Sequence, residues 1–113
     1  METQAAIIAA SSKLKLELPL QQIADFCHRW GLARLEIFGS ALRDDFGPDS
    51  DLDFLFTAGP GFQRDKAYGP WAHDYVAEEL AALLGRKVDL IERMDKWIKR
   101  RHILQTAEPV YVD

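Results

Sequence analysis

The sequence predicts a small α/β domain that mixes α-helices with β-strands. Three segments alternate apolar and polar residues as half-buried strands do, at residues 32–38, 51–57 and 86–91. Segments with helical spacing of apolar residues lie around them, chiefly at 20–30 and 70–84. The chain has 113 residues, which is enough to bury one modest core.

Composition narrows the class of protein. Hydrophobic residues make up 48% of the chain, as in ordinary globular domains, so we expect one domain over residues 1–113. No apolar run approaches the roughly 20 residues that span a bilayer, and the N-terminus lacks a signal-peptide pattern, so we expect no membrane association. The net charge of −4 argues against a general or sequence-specific nucleic-acid binder. A lone cysteine, Cys27, cannot form an internal disulfide, which favours a reducing, cytoplasmic setting.

The first part of the chain reads as helical. Residues 3–13 are rich in alanine and predict a helix. Residues 14–18 alternate leucine with charged residues, which fits either an extended run or a frayed helix end. Pro19 suits the first turn of the next helix, which we expect to end at Trp30 before Gly31. Its apolar stripe consists of Leu20, Ile23, Ala24, Phe26 and Cys27.

The strand at 51–57 bears the residues that indicate function most strongly. Its apolar residues face one way and its acidic residues the other: Leu52, Phe54 and Phe56 against Asp51 and Asp53. Carboxylates at i and i+2 of a strand lie about 7 Å apart on one face. Ligation by carboxylate oxygens selects Mg²⁺ or Mn²⁺, which keep positions open for water and substrate phosphates.

The pair Gly39-Ser40 follows the first strand and completes this unit. Gly39 has no Cβ to obstruct a ligand, and amides from Ser40 onward would open a short helix whose N-terminus suits phosphate. Gly-Ser turns and Asp-x-Asp loops are each common in structural roles. Their combination around two strands is much rarer, and it indicates a site with phosphate donors on one side and metal ligands on the other.

The loop between the two strands is strongly turn-like, with aspartates, glycine and proline over residues 44–49. We expect its aspartates to be solvated. Arg43, at its start, has two roles open to it. Its guanidinium either forms salt bridges with those aspartates or reaches the phosphates of a substrate, for which its planar fork of donors is suited.

The third strand repeats the pattern of the second. Val88 and Leu90 are expected to face the core, which places Asp89 on the opposite side. If the two strands are neighbours, Asp89 converges on Asp51 and Asp53. Three carboxylates on one sheet face form a strained acidic cluster unless cations neutralise them.

The remaining segments complete the predicted order. The Gly/Pro-rich residues 58–61, with 62–70 after them, are expected to form a mobile loop. A last helix is predicted at 94–107, with a basic patch that is either a solvated face or an aid to binding polyphosphate or an acidic partner. Residues 110–112 are expected to add a short terminal strand.

These residues resemble the minimal nucleotidyltransferases of the DNA polymerase β superfamily, the MNT-domain proteins. The family pattern is Gly-Ser, an arginine three positions on, a loop, Ser-Asp-x-Asp on a strand and a third aspartate on a later strand. Here the matching residues are Gly39, Ser40, Arg43, Ser50, Asp51, Asp53 and Asp89. The resemblance covers about residues 20–112. The chain departs from the pattern beside Arg43, where it has Leu42 and Asp44. We also expect no second, substrate-binding domain.

The resemblance implies a nucleotidyltransferase fold, a small three-strand mixed sheet with helices packed on one face. It implies transfer of AMP from ATP to a hydroxyl group with two Mg²⁺ ions. Asp51 and Asp53 would hold both ions, and Asp89 would hold one and help to deprotonate the acceptor. The nucleotide-binding set would be Gly39, Ser40, Arg43 and Ser50, with the first two at the β- and γ-phosphates.

Stand-alone proteins of this size resemble the MNT antitoxins that pair with HEPN-domain toxins. The HEPN partner is typically a ribonuclease, which the MNT protein neutralises by adenylylating a tyrosine. We adopt this as the leading hypothesis, because a domain without a substrate-binding half must take its acceptor from a partner. Two alternatives stay open. One is a non-catalytic antitoxin that inhibits its partner by binding, and the other is a transferase for small, aminoglycoside-like molecules.

Overall fold

The computed structural model describes residues 6–7, 17–44, 46–62, 71–93 and 101–113. They form five strands, three α-helices and a 3₁₀ turn at Gly39–Leu42. In chain order the strands and α-helices are β1 (Ala6–Ile7), α1 (Leu20–Trp30), β2 (Leu32–Phe38), β3 (Leu52–Ala58), α2 (Ala72–Leu84), β4 (Val88–Glu92), α3 (Arg101–Thr106) and β5 (Glu108–Val112).

The sheet is mixed, with the strand order β1-β5-β2-β3-β4. The pairs β2–β3, β2–β5 and β1–β5 are antiparallel, whereas β3–β4 is parallel and is joined through α2. The prediction of a mixed sheet is confirmed, but the number of three strands is wrong. The terminal strand runs over Glu108–Val112, longer than expected, and extends the sheet beside β2, and the two-residue β1 adds to its far side.

One face of the sheet carries the main core, which α1 and α2 cover. The predicted stripe of α1 is buried from Ile23 to Cys27, and Val76 and Leu80 of α2 are fully buried against the same core. On the sheet side this core includes Leu35, Ile37, Leu52, Phe54 and Phe56. The alternation read from the sequence therefore decides which face of β2 and β3 lies inward.

The other face of the sheet carries the polar positions of the strands. Asp53 has the opposite parity to Phe54 and so lies on this second face. Two residues of α3, Ile103 and Thr106, line a cleft together with Phe38 and Asp53. The expected packing of helices on one face thus applies to α1 and α2, while α3 lies beside the acidic side.

The helices predicted near the two ends of the chain, at 3–13 and 94–107, have different outcomes. The helix expected at 3–13 is wrong where the structure describes it, because Ala6–Ile7 pair antiparallel with Tyr111 and Val112 of β5. Pairing with a sheet edge here overrides the helix propensity of alanine. The rest of that segment lies outside the described residues, as do residues 94–100 of the predicted last helix. The described part of that helix is α3.

Two backbone hydrogen bonds hold the start of the loop after β3, and the mobility expected of this loop stays a prediction. Gly59 N–H donates to the carbonyl of Gly31 at 2.9 Å, and Phe62 N–H donates to that of Gly59 at 3.1 Å. Residues 63–70 of the predicted loop lie outside the described residues. Within the described chain, no helix has the length and apolarity needed to cross a membrane.

Candidate active site

The acidic residues of β3 and β4 lie side by side. Asp53 pairs with Asp89 in the parallel register of the two strands, and Leu52 N–H donates to the carbonyl of Lys87 at 3.0 Å just before them. Paired residues of neighbouring strands share a face, so both carboxylates lie on the face away from α1 and α2. The condition left open by the sequence, that the strands of Asp53 and Asp89 are neighbours, is met.

Gly39 is where the end of β2 meets Asp53. Phe38 pairs with Asp53 across β2 and β3, and the 3₁₀ turn begins at the next residue. Gly39 has φ +76°, in the left-handed region that favours glycine. A Cβ at this position would also collide with Oδ2 of Asp53. Backbone conformation and close approach therefore both require glycine here.

Ser40 connects this turn to both aspartates of β3. Its backbone N–H donates to the carboxylate of Asp53. Its hydroxyl donates to the main-chain carbonyl of Asp51 at 3.2 Å. The short helix expected from Ser40 onward is observed as a 3₁₀ turn. In this structure the amide of Ser40 donates to the carboxylate of Asp53.

The charges around Asp53 act on it in both directions. Burial raises the pKa of Asp53, and the carboxylates of Asp89 and Asp51 raise it further. The N–H of Ser40 and the guanidinium of Arg43 lower it, and the net shift is upward. Asp89 and Asp51 are therefore close enough to Asp53 to repel its carboxylate, and Arg43 offsets this only in part.

The three aspartates are nevertheless not gathered around one point. Within the described residues, no group of three His, Cys, Asp or Glu side chains is arranged to hold a metal ion. Asp51 precedes β3 and is exposed, whereas Asp53 is half-buried. The structure thus presents an acidic edge rather than a closed set of ligands, and the assignment of metal ligands remains a prediction.

Arg43 and Ser50 take different places at this edge. Arg43 is exposed, lines the cleft with Asp53 and lowers the pKa of that carboxyl, so its charge acts on the acidic edge. The hydroxyl of Ser50 accepts the N–H of Gly47 at 3.0 Å, and Ser50 N–H donates back to the carbonyl of Gly47 at 3.1 Å. Ser50 therefore closes the turn that leads into Asp51.

A residue that the sequence analysis missed holds this turn in place. Nη1 of Arg86 donates to the carbonyl of Ser50 at 2.8 Å and to that of Gly47 at 3.2 Å. Its guanidinium lies 4.6 Å from the centre of the Phe46 ring. Arg86 follows α2 and has no motif around it. An aromatic residue in an otherwise polar loop, Phe46, was the one sequence signal that a cation stacks there.

The sequence analysis also missed an ion pair between Glu36 and Arg93, which stiffens the sheet face that carries Asp53. Glu36 of β2 is only 2% exposed, and its carboxylate pairs with Nη1 of Arg93 at 2.7 Å. Arg93 follows β4, and its N–H donates to the carbonyl of Phe56 at 2.8 Å. This ion pair crosses over β3 and so links the two strands that flank it.

The cleft beside the carboxylates has a volume of about 480 Å³. This lies in the range of about 300–1,000 Å³ that is typical of sites for small ligands. Its walls are partly apolar and partly charged, and they are formed by Phe38, Gly39, Leu42, Arg43, Asp53, Ile103 and Thr106. The contribution of α3 was not predicted, because nothing local in that helix marks it as lining a site.

Comparison with known proteins identifies a domain family. A family model described as a nucleotidyltransferase domain matches residues 20–108. None of the curated proteins has significant sequence similarity to the chain.

Three solved structures are similar in fold. A toxin–antitoxin structure with AMP-PNP is 19% identical, with a TM-score of 0.63, over 85% of this chain and 75% of that one. A mutant of the toxin–antitoxin MntA-HpeT is 17% identical, with a TM-score of 0.61 and the same coverage. A minimal nucleotidyltransferase is 28% identical, with a TM-score of 0.59, over 80% of this chain and 87% of that one.

Proposed function

The chain belongs to the nucleotidyltransferase domain family, and from this premise we propose that it transfers AMP from ATP to a hydroxyl group of a partner protein. One observation carries the proposal. Asp53 and Asp89 are opposite each other on neighbouring strands, and the Gly39-Ser40 turn packs directly against Asp53. This brings the acidic groups and the Gly39-Ser40 turn to one edge of the cleft.

The donor set suits two Mg²⁺ ions. It consists of carboxylate oxygens, which Mg²⁺ prefers. Burial raises the pKa of Asp53 most, and a cation would relieve the further rise caused by Asp89 and Asp51. Asp51 and Asp53 would hold both ions, and Asp89 would hold one. When bound, the ions supply positive charge at the attacking and leaving oxygens of the phosphoryl group.

The protein's own groups would bind and orient the nucleotide. The apolar walls formed by Phe38, Leu42 and Ile103 would exclude water from one side of the cleft, and Arg43 would offer charge to the phosphates. Gly39 leaves room for a phosphate to approach the backbone. Asp89, exposed at the edge, would accept the proton of the incoming hydroxyl.

We infer that the acceptor is a tyrosine of a HEPN-domain ribonuclease, and that the chain acts as an antitoxin. The support is the resemblance to MNT antitoxins together with the likeness in fold to the toxin–antitoxin structures, one of them with AMP-PNP. Adenylylation places a bulky anionic group on the tyrosine oxygen, which is a direct way to block an RNA-binding site.

Intact mass spectrometry of the partner tests the proposal. The purified pair is incubated with ATP and Mg²⁺, and the same is done with Asp51→Asn/Asp53→Asn. We expect the partner to gain one or more AMP units with the wild type and none with the variant. The matched control is Glu17→Gln/Asp25→Asn, which removes the same charge at exposed positions outside the site motifs and should leave the gain unchanged.

Two other outcomes would replace the proposal. A partner that is silenced without any gain in mass, by the wild type and the Asp51→Asn/Asp53→Asn variant alike, would establish inhibition by occlusion. Transfer of AMP to small polyols in the absence of any partner would establish a small-molecule transferase instead.

A further inference from the structure

The solvent side of α2 bears a groove that the proposed chemistry does not use. Trp71 is 63% exposed and Tyr75 is 48% exposed, and within the described chain no other large hydrophobic side chain is exposed to this extent. Together with Asp74 and Glu78 they line a groove of about 240 Å³. Aromatic surface of this kind is the usual mark of an interaction site rather than of free solvent-exposed surface.

The groove lies on a face of its own. Positions 71, 74, 75 and 78 recur at helical spacing, so their side chains form one stripe along the start of α2. The buried positions of α2 are Ala72, Val76 and Leu80, which lie on the other side of the helix. The stripe is therefore separate from the core.

The groove is also separate from the carboxylates. His73, at the start of α2, shares a hydrogen bond of 2.7 Å with the carbonyl of Leu90 and packs edge-on against Phe56. These contacts place the start of α2 on the core face of the sheet, whereas Asp53 lies on the opposite face. A partner that occupies the groove thus leaves the cleft beside Asp53 open.

We propose that this groove binds an arginine-bearing segment of a partner protein, which deepens the partner assigned under the proposed function. A guanidinium stacks on aromatic faces and forms paired hydrogen bonds with carboxylates. One arginine can therefore contact both the aromatic rings and the carboxylates of the stripe. The net charge of −4 favours the approach of a basic segment. The volume is below the roughly 300 Å³ at which small-molecule sites begin, and it fits a side chain.

Other occupants match the groove less well. A purely apolar segment would cover Asp74 and Glu78 without pairing them, which is unfavourable for buried charges. An acidic segment would be repelled by the same two carboxylates. Lysine offers the charge but not the planar fork, so it should bind more weakly than arginine.

Nuclear magnetic resonance with defined peptides tests this inference without any nucleotide or metal. The probe is a short peptide that alternates arginine with glycine, and matched peptides carry lysine, leucine or glutamate in place of arginine. The reporter is the indole N–H of Trp71. The indole of Trp30 serves as internal reference, since it donates to Glu79 at 3.0 Å.

We expect the arginine peptide to shift the Trp71 signal and not the Trp30 signal. Trp71→Ala, which is followed through the backbone amide of Tyr75 because it lacks the indole, and the double variant Asp74→Asn/Glu78→Gln should each weaken binding about tenfold. The matched control is Glu17→Gln/Asp25→Asn, which removes two exposed carboxylates elsewhere and should leave the affinity within about twofold.

Three results would overturn the inference. Equal weakening in the control variant would mean that the peptide follows net charge rather than the groove. Tighter binding of the leucine or glutamate peptide would mean a different partner chemistry. A dimer in sedimentation that Trp71→Ala abolishes would mean that the groove binds a second copy of the chain. Because the test contains no ATP, failure of AMP transfer would not imitate any of these results.

Discussion

The carboxyl group of Asp53 lies against the backbone of Gly39, so closely that no side chain fits between them. The main-chain amide of the next residue, Ser40, donates to the same carboxylate. This contact connects the end of β2 to the acidic edge of β3 and β4. Several consequences of it are open to measurement.

Gly39→Ala should destabilise the protein by about 1–3 kcal/mol, because the residue has a positive φ and its new Cβ would displace Asp53. Denaturant unfolding followed by circular dichroism measures the change. Gly47→Ala is the matched control, since φ there is not in the left-handed region and a Cβ would meet nothing within 4 Å. If both variants lost the same free energy of unfolding, the contact between Gly39 and Asp53 would make no specific contribution to stability.

Asp53→Asn should raise the melting temperature at neutral pH in the presence of EDTA. The folded-state pKa of Asp53 is raised, so ionisation of this group lowers stability, and the loss develops as pH rises from the ordinary value of 3.8 through the raised pKa. Asparagine cannot ionise but can still accept the N–H of Ser40.

The measurement is thermal unfolding of wild type and variant between pH 4 and pH 8. The difference between them should widen toward pH 8 and shrink toward pH 4. Asp49→Asn, in the exposed loop, should change stability by no more than about 0.5 kcal/mol across the range. A wild type that is more stable than Asp53→Asn at pH 8 without metal would contradict the predicted repulsion.

Arg86→Ala should loosen the turn that leads into Asp51. It removes two hydrogen bonds to carbonyls and a stacked guanidinium, and we expect a loss of about 1–3 kcal/mol. Arg86→Lys keeps the charge but not the fork, so its effect should be intermediate. Hydrogen exchange at the amide of Ser50, which is bonded to Gly47, reports the local opening.

The neighbouring Lys87→Ala is the control for Arg86. Its side chain is exposed, and the group that it contributes to β3 is a backbone carbonyl, which the variant keeps. Faster exchange at Ser50 in Arg86→Ala, with a smaller increase in Arg86→Lys and none in Lys87→Ala, would support a positioning role. Unchanged exchange in all three variants would show that Ser50 and Gly47 hold the turn without Arg86.

Cys27 should resist thiol reagents while the protein is folded. Burial raises the pKa of its thiol to about 12, so about one thiol in ten thousand is ionised at pH 8. Ellman's reagent should therefore react slowly with the native protein and fully after unfolding in guanidinium chloride. Rapid reaction of the native protein would mean that α1 opens readily from the sheet.

The elements with strong local patterns were predictable. The strand predicted at 51–57 is observed at Leu52–Ala58, and α1 spans the predicted 20–30, because apolar periodicity there coincides with the final burial. Asp89 could be placed because it repeats the pattern around Asp53. That these two strands are neighbours was left open by the sequence and is given by the structure.

The features that were missed depend on distant contacts. Arg86, Arg93 and Ile103 act through partners far away in sequence, and nothing in their own neighbourhood marks them. The strand at Ala6–Ile7 was missed for the same reason, since its pairing with β5 is not visible in an alanine-rich segment. The sequence shows that Trp71 and Tyr75 are aromatic, but it does not show that they form an exposed stripe.

The parallel pairing of β3 with β4 has a consequence for how ligands and folding are linked. Asp53 and Asp89 meet only after the chain has crossed over through α2, so the unfolded chain does not hold these two carboxylates side by side. A divalent cation that needs both carboxylates would therefore bind the native state in preference to the unfolded chain. By mass action, each tenfold increase in free cation above its dissociation constant would add about 1.4 kcal/mol to the free energy of unfolding. Ionic conditions would then set how much of the protein is folded, independently of any turnover.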